Sequence, residues 1–222
     1  MVESEVREVR AYTRNEKLIQ ERRDHILGCV LGVFLRKGYK ATTVKDLAEA
    51  CGMPEGTIYR YIGSKDDLLH LLCLKRARGR ERLQQALAAA GDQTATDALK
   101  TAIRFYFEMG DSGRDINLFF NREIRYFSSQ DRRFLLEAQS AVTEVFRELL
   151  EKGVATGEFQ MRSPLAVAHS ILMLGHDWGL RRWFLSQYFT LQEYTDIHTE
   201  LILKQITPAT TRSKHKTRVG AR

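Results

Sequence analysis

Between Thr42 and Lys65 the chain reads TTVKDLAEACGMPEGTIYRYIGSK, and three kinds of punctuation in that stretch leave little conformational choice. Thr43-Val44-Lys45-Asp46 has the spacing of a capping box, in which a hydroxyl and a carboxylate each take an orphan N–H of a starting helix. Gly52 stands where a sharp turn needs positive φ, which costs glycine nothing. Pro54 suits the first turn of the next helix, where its missing N–H is not needed. Gly63 ends that helix, and Ser64 caps another. The stretch predicts a short helix, a tight turn and a second short helix of roughly Pro54 to Ile62. Val44, Leu47, Ala48, Ile58 and Ile62 face inward; Pro54, Glu55, Thr57, Tyr59 and Arg60 stay outside.

The flanks fit the same unit. Residues 1–12 read as an arm without periodicity, and Thr13-Arg14-Asn15-Glu16 is a second capping-box spacing. From there to about Lys37, Ile26, Cys29, Val30, Val33 and Phe34 recur as one amphipathic stripe. Arg36 and Lys37 suit the negative end of the dipole, and Gly38 is expected as a left-handed C-cap. After Ser64 a long fourth helix is expected, carrying Leu68, Leu69, Leu72, Cys73, Leu83 and Leu87. Its basic run Lys75, Arg76, Arg78, Arg80 and Arg82 reads as a solvated face.

A B-DNA major groove admits one α-helix, so the exposed side of the second short helix is the candidate reading surface. Thr57 can donate to a base or meet a thymine methyl, and Arg60 can read a guanine edge or hold a phosphate. Tyr59 suits phosphate or sugar, and Glu55 needs a cytosine amino group or a water. Gly56 lets the helix approach closely. Thr42 and Thr43 sit at a helix start, where hydroxyl and amide donors meet a phosphate, and Lys45 and Lys65 are expected as phosphate clamps. One such unit reads few base pairs, so a two-fold dimer on an inverted-repeat operator of double-stranded DNA is expected.

The pattern A-T-T-V-x-D-L-A-x-x-C-G-x-x-x-G-T-I-Y-x-Y-I-x-S-K-x-x-L-L resembles the N-terminal DNA-binding region of the TetR family of transcriptional regulators, over about Ile26–Leu72. One departure is Ile62, where the family often has Phe. The resemblance implies an all-α fold of about nine helices: an N-terminal three-helix helix-turn-helix domain followed by a C-terminal helical ligand-binding and dimerisation domain. On this chain the parts fall at 13–63 for the DNA-binding domain, 64–92 for a connecting helix, 93–206 for the ligand and dimer domain, and 207–222 for a basic tail.

Caps and periodicity place helices in the second part at about 94–109, 115–127, 130–152, 164–188 and 191–206, with Ser163-Pro164 and Thr190-Leu191-Gln192-Glu193 as start signals. Gly153 and Gly157 are expected to break the chain between the third and fourth. The fourth is apolar on several faces, so a partner subunit or a ligand must cover what its own core does not. Phe105, Tyr106, Met109, Phe119, Phe120, Tyr126, Met173 and Trp178, interleaved with Arg122, His169 and His176, are the candidate lining of a pocket for a lipophilic ligand with an anionic end. The tract WGLRRWFLSQYFTLQEY is also similar to the C-terminal part of family members that respond to fatty acyl-CoA or related CoA thioesters.

Charge narrows the partners. Residues 1–92 hold 17 Lys/Arg and 13 Asp/Glu, residues 93–206 hold 13 and 15, and residues 207–222 hold five and none. The basic excess thus sits in the helix-turn-helix part and in a tail poor in apolar residues, expected to be disordered. No run approaches the roughly 18 apolar residues of a membrane span, so no membrane partner is expected. Cys29, Cys51 and Cys73 lack metal-ligand spacing and read as thiols of a reducing cytoplasm. His169 and His176 lie two helical turns apart, about 10 Å, too far to share one ion, so neither metal nor cofactor is expected. No nucleophile elbow, phosphate loop or carboxylate pair marks an enzyme. The sequence reads as a ligand-released, homodimeric repressor. A DNA-bound interaction factor of the same fold without a promoter role is the alternative, and a small-molecule-modifying enzyme a third.

Overall fold

A computed structural model describes residues 9, 11 and 15–208; the Thr13 cap and the tail from 209 onward lie outside the described residues. Among the described residues there are ten α-helices and no strand. They are α1 (Glu16–Lys37), α2 (Val44–Cys51), α3 (Glu55–Tyr61), α4 (Lys65–Ala77), α5 (Gly79–Ala89), α6 (Ala95–Ser112), α7 (Arg114–Glu123), α8 (Ser129–Ala155), α9 (Pro164–Leu185) and α10 (Leu191–Ile206), with a 3-10 turn at Ile124–Tyr126. The expected long fourth helix is two helices. Arg78 leaves the helical well at φ −68°, ψ 5°, beside the weak helix former Gly79. Counted as one bent rod, α4 and α5 bring the number to the expected nine.

Local chemistry explains most ends. The Thr43–Asp46 and Thr190–Glu193 capping boxes both form, and Ser64 and Ser163 cap α4 and α9. Asn15 caps α1, its side chain accepting from the Leu18 N–H. Pro54 is the N-cap of α3, so the helix starts at Glu55, one residue later than expected. Gly38 has φ 80° and ψ 155°, beyond the expected left-handed helical region and open only to glycine. Gly153 lies inside α8, where the Phe159 ring lies against it; the chain turns at Gly157, φ 77°.

Two hydrophobic clusters organise the bundle. The first joins α1 to α4 through Ile26, Val30, Phe34, Leu47, Ile58, Ile62, Leu68 and Leu72, and takes in Phe119, Phe120 and Phe127 from beyond residue 93. The second holds α5, α6, α8, α9 and α10 around Leu99, Ile103, Phe107, Phe146, Leu172 and Trp178. α9 leaves helical geometry at Arg181 and ends at Leu185, shorter than expected. Its face with Leu165, Met173, Trp183 and Phe184 is exposed, as are Ile197 and Leu201 of α10.

Candidate functional site

The helix-turn-helix presents a defined surface. Gly52 makes the turn at φ 62°, ψ 34°, its N–H returning to the carbonyls of α2. Ile58 and Ile62 seal α3 to α1 and α2, while Glu55, Gly56, Tyr59 and Arg60 stand exposed and Thr57 half-buried. A Cβ at Gly56 would meet nothing within 4 Å, so only an external surface can need that space. Thr43 and Lys45 are exposed at the start of α2. Asp46 accepts from Lys37 at 2.5 Å and from the Thr43 N–H at 2.9 Å, which holds its carboxyl down to about 2.

Two expected phosphate contacts are used inside the protein instead. Thr42 is buried, and its hydroxyl donates to the Gly38 carbonyl at 2.8 Å. Lys65 Nζ donates to the carbonyls of Tyr39 at 3.0 Å and Thr42 at 2.9 Å, with the Tyr39 ring centroid 4.4 Å away. Burial lowers its pKa, as expected for an ammonium held against protein. Both residues brace the α1–α2 loop, Thr42 from a buried position and Lys65 from a half-buried one.

A cavity of about 310 Å³ lies between this unit and the helices that follow. α1 contributes Leu27, Gly28 and Leu31; α4 and α5 contribute Leu72, Lys75, Arg76, Gly79 and Arg82. The far wall is Tyr106, Met109 and Gly110 of α6, Asp115, Ile116 and Asn117 of α7, and Gly175 and His176 of α9. Four members of the basic run, Lys75, Arg78, Arg80 and Arg82, are exposed as a solvated face would be, while the half-buried Arg76 turns into the cavity wall, which Lys75 and Arg82 also line. The signal was available: Leu72, Lys75, Arg76, Gly79 and Arg82 share one helical stripe. Phe105 supports this wall indirectly, its ring lying 6.0 Å from the Arg82 guanidinium. His176 is pushed down to about 4 by burial and then by the Arg76 charge, so it is neutral at pH 7, and its Nε2 is buried with no partner.

Of the expected pocket residues, Tyr106, Met109 and His176 line this cavity, and Phe120 lines a neighbouring one. The others are elsewhere. Phe119 is fully buried and stacks on Phe34 at 5.2 Å. Arg122 donates to the Leu35 carbonyl at 2.8 Å. Tyr126 packs 5.9 Å from Tyr39. These three tie α7 and its 3-10 turn to the helix-turn-helix. Trp178 is core, its Nε1 donating to Asp111 at 2.8 Å. His169 and Met173 lie on the exposed face of α9. Periodicity cannot divide one aromatic-rich segment among a cavity, a joint and a core. A further tie escapes sequence reading altogether: His70 Nδ1 of α4 meets Asp131 Oδ1 of α8 at 2.6 Å, both buried. Among the described residues no group of His, Cys, Asp and Glu could hold a metal ion, and no helix is long and apolar enough to cross a membrane.

Comparison with known proteins places these features. A model of bacterial regulatory proteins of the tetR family matches residues 31–72, and one of the tetracyclin repressor-like C-terminal domain matches residues 92–206. The HTH-type transcriptional regulator HbdR of Aromatoleum sp. (strain CIB) is 25% identical over 193 residues, 87% of this chain and 84% of that protein. The HTH-type transcriptional repressor KstR2 of Rhodococcus jostii is 26% identical over 73% of this chain and 79% of its own length. A tetR-family regulatory protein from Rhodococcus RHA1 superposes with a TM-score of 0.71 at 27% identity, covering 85% of this chain and 98% of that one. FadR from Bacillus subtilis, solved in complex with stearoyl-CoA, superposes with a TM-score of 0.66 at 20% identity, covering 81% and 97%. At that identity the last likeness concerns the fold alone.

Proposed function

The chain belongs to the tetR family of bacterial regulatory proteins, DNA-binding regulators of transcription, and from that premise we propose a homodimeric repressor released from an inverted-repeat operator by a lipophilic anionic effector of the acyl-CoA class. The observation that carries the reading is the cavity. It has an apolar floor of Leu27, Leu31, Leu72, Met109 and Ile116 and a cationic wall of Lys75, Arg76 and Arg82, and α1 of the helix-turn-helix is one of its sides. A polyanionic head group suits that wall, and an acyl chain suits that floor. FadR, which shares the fold, is known with stearoyl-CoA.

On this reading Thr43, Lys45 and Tyr59 position the protein on phosphates, while Thr57 and Arg60 read base edges with Glu55, Gly56 and Pro54 beside them. The exposed apolar face of α9 and α10 (Leu165, Met173, Trp183, Ile197, Leu201) is where a second copy packs. Arrival of the effector changes the relation of α1 to the body and so the spacing of the two reading helices. The test is fluorescence anisotropy on an operator selected from randomised duplexes. Palmitoyl-CoA should weaken binding tenfold or more, and free CoA should not. Unchanged operator affinity at saturating acyl-CoA would overturn the effector class, and a monomer by sedimentation would overturn the dimer.

A further inference from the structure

A second cavity of about 240 Å³ adjoins the first, and the residues the two share are Arg76 and Tyr106. The two differ in character. The first has Lys75 and Arg82 in its wall; the second is bounded by Phe120, Ile124, Leu135, Ala138 and Val142, with Asn121 and Gln139 as its polar groups. The two shared side chains differ in stiffness. Tyr106 is held edge-on to Phe146 at 5.6 Å and is nearly fully buried, whereas Arg76 is a long, rotatable, half-buried side chain. Phe120 has a second attachment: it packs 5.2 Å from Phe127 and 6.0 Å from Phe119, the residue stacked on Phe34 of α1. The second cavity therefore ends on the joint between α7 and the helix-turn-helix.

We propose that the two cavities are the head and tail compartments of one bent ligand channel, with Arg76 as the movable gate between them, so that the site measures the length of the ligand's apolar chain. This rests on the effector reading above and adds to it. A short acyl chain ends in the first cavity. A long one displaces the Arg76 side chain, enters the second cavity and presses on Phe120. Each methylene that finds apolar surface tightens binding about fourfold, and methylenes beyond the end of the channel add nothing.

The test is a ladder of saturated acyl-CoAs from butyryl to stearoyl, titrated calorimetrically against the wild-type dimer and against Ala138→Leu and Ala138→Phe. Ala138 is half-buried on α8, and Leu keeps helix propensity, so one variant remains folded even where Phe overfills. Wild type should show the fourfold rise per methylene to a plateau. The variants should plateau earlier, with butyryl-CoA affinity unchanged and palmitoyl-CoA affinity reduced tenfold or more. Identical ladders in wild type and variants would overturn the channel. A parallel ladder of n-alkyl phosphates reads the tail compartment without a CoA head. If acyl-CoAs fail to bind while alkyl phosphates show the Ala138-dependent break, the effector class falls and the channel stands. If neither ladder shows the break, the channel falls.

Discussion

Exchanging Lys65 for Met separates an ammonium that braces protein from one that clamps DNA. In the structure its Nζ has two carbonyl acceptors, Tyr39 at 3.0 Å and Thr42 at 2.9 Å. A hydrogen bond to a charged group contributes about 1.5–3 kcal/mol, and less where water competes. Lys65 is partly exposed, so the pair together should contribute about 2 kcal/mol. Methionine keeps the aliphatic stem against the Tyr39 ring, so the loss belongs to the ammonium. Urea denaturation, with a slope of about 1–3 kcal/mol per molar, should show a midpoint lowered by about 1 M. Operator binding by anisotropy across a salt series then decides the role. Each neutralised phosphate adds about 0.9 to the slope of log affinity against log salt. Lys65→Met should leave that slope unchanged. Lys45→Ala, removing an exposed cation at the start of α2, should lower it by about 0.9 per subunit. A Lys65→Met protein of full stability whose salt slope falls by that amount would refute the internal brace and return Lys65 to a phosphate.

Tyr59→Ala, at a residue 42% exposed, should abolish specific operator binding in a gel shift while the dimer stays folded; normal binding would remove Tyr59 from the interface. Gly153→Ala should cost about 1–3 kcal/mol, because its Cβ would stand 2.0 Å from the buried Phe159 ring. In a Phe159→Ala background the same change should instead stabilise by roughly 0.5–1 kcal/mol, a reversal that thermal unfolding of the four proteins can read. His176, depressed to about 4, makes stability fall with pH. The unfolded chain takes a proton below about 6.5 while the native state waits until about 4, so up to roughly 3 kcal/mol is lost across that window and none of it above pH 7. His176→Gln should remove this component, read as the wild-type minus variant difference in denaturation at pH 7 and pH 4.5.

What could be read from sequence is what a few neighbouring residues settle among themselves. The Thr43–Asp46 and Thr190–Glu193 boxes, the Ser163-Pro164 start and the Gly52 turn close their hydrogen bonds within three or four residues, so their residue types are nearly sufficient. The reading surface of α3 follows from the same locality, since burying Ile58 and Ile62 dictates what remains outside. The internal acceptors of Lys65 lie 23 and 26 residues away and that of Arg122 lies 87 residues away, beyond what local spacing shows. The cavity draws its walls from six helices, and no spacing along one helix announces such a meeting. The aromatic segment 105–127 serves three places at once, a distinction made only by which helix each ring meets.

The way those walls are shared bears on how an effector could act at a distance. α1 shows Leu27, Gly28 and Leu31 to the cavity and Ile26, Val30 and Phe34 to the core that carries α2 and α3. α7 does the same lengthwise: Asp115, Ile116 and Asn117 line the cavity, and Phe119 and Arg122 hold Phe34 and the Leu35 carbonyl. Both helices thus touch the cavity and the helix-turn-helix without an intermediary. α4 is constrained differently. The buried His70–Asp131 hydrogen bond, at 2.6 Å, ties α4 to α8, and separating the two leaves both buried atoms without that partner. On the proposed reading the first half of α4 stays tied to α8 through this buried contact, and the effector acts through α7, whose Phe119–Phe34 stack and exposed Arg122 hydrogen bond reach α1. The reading unit would then swing about the His70–Asp131 latch as its pivot.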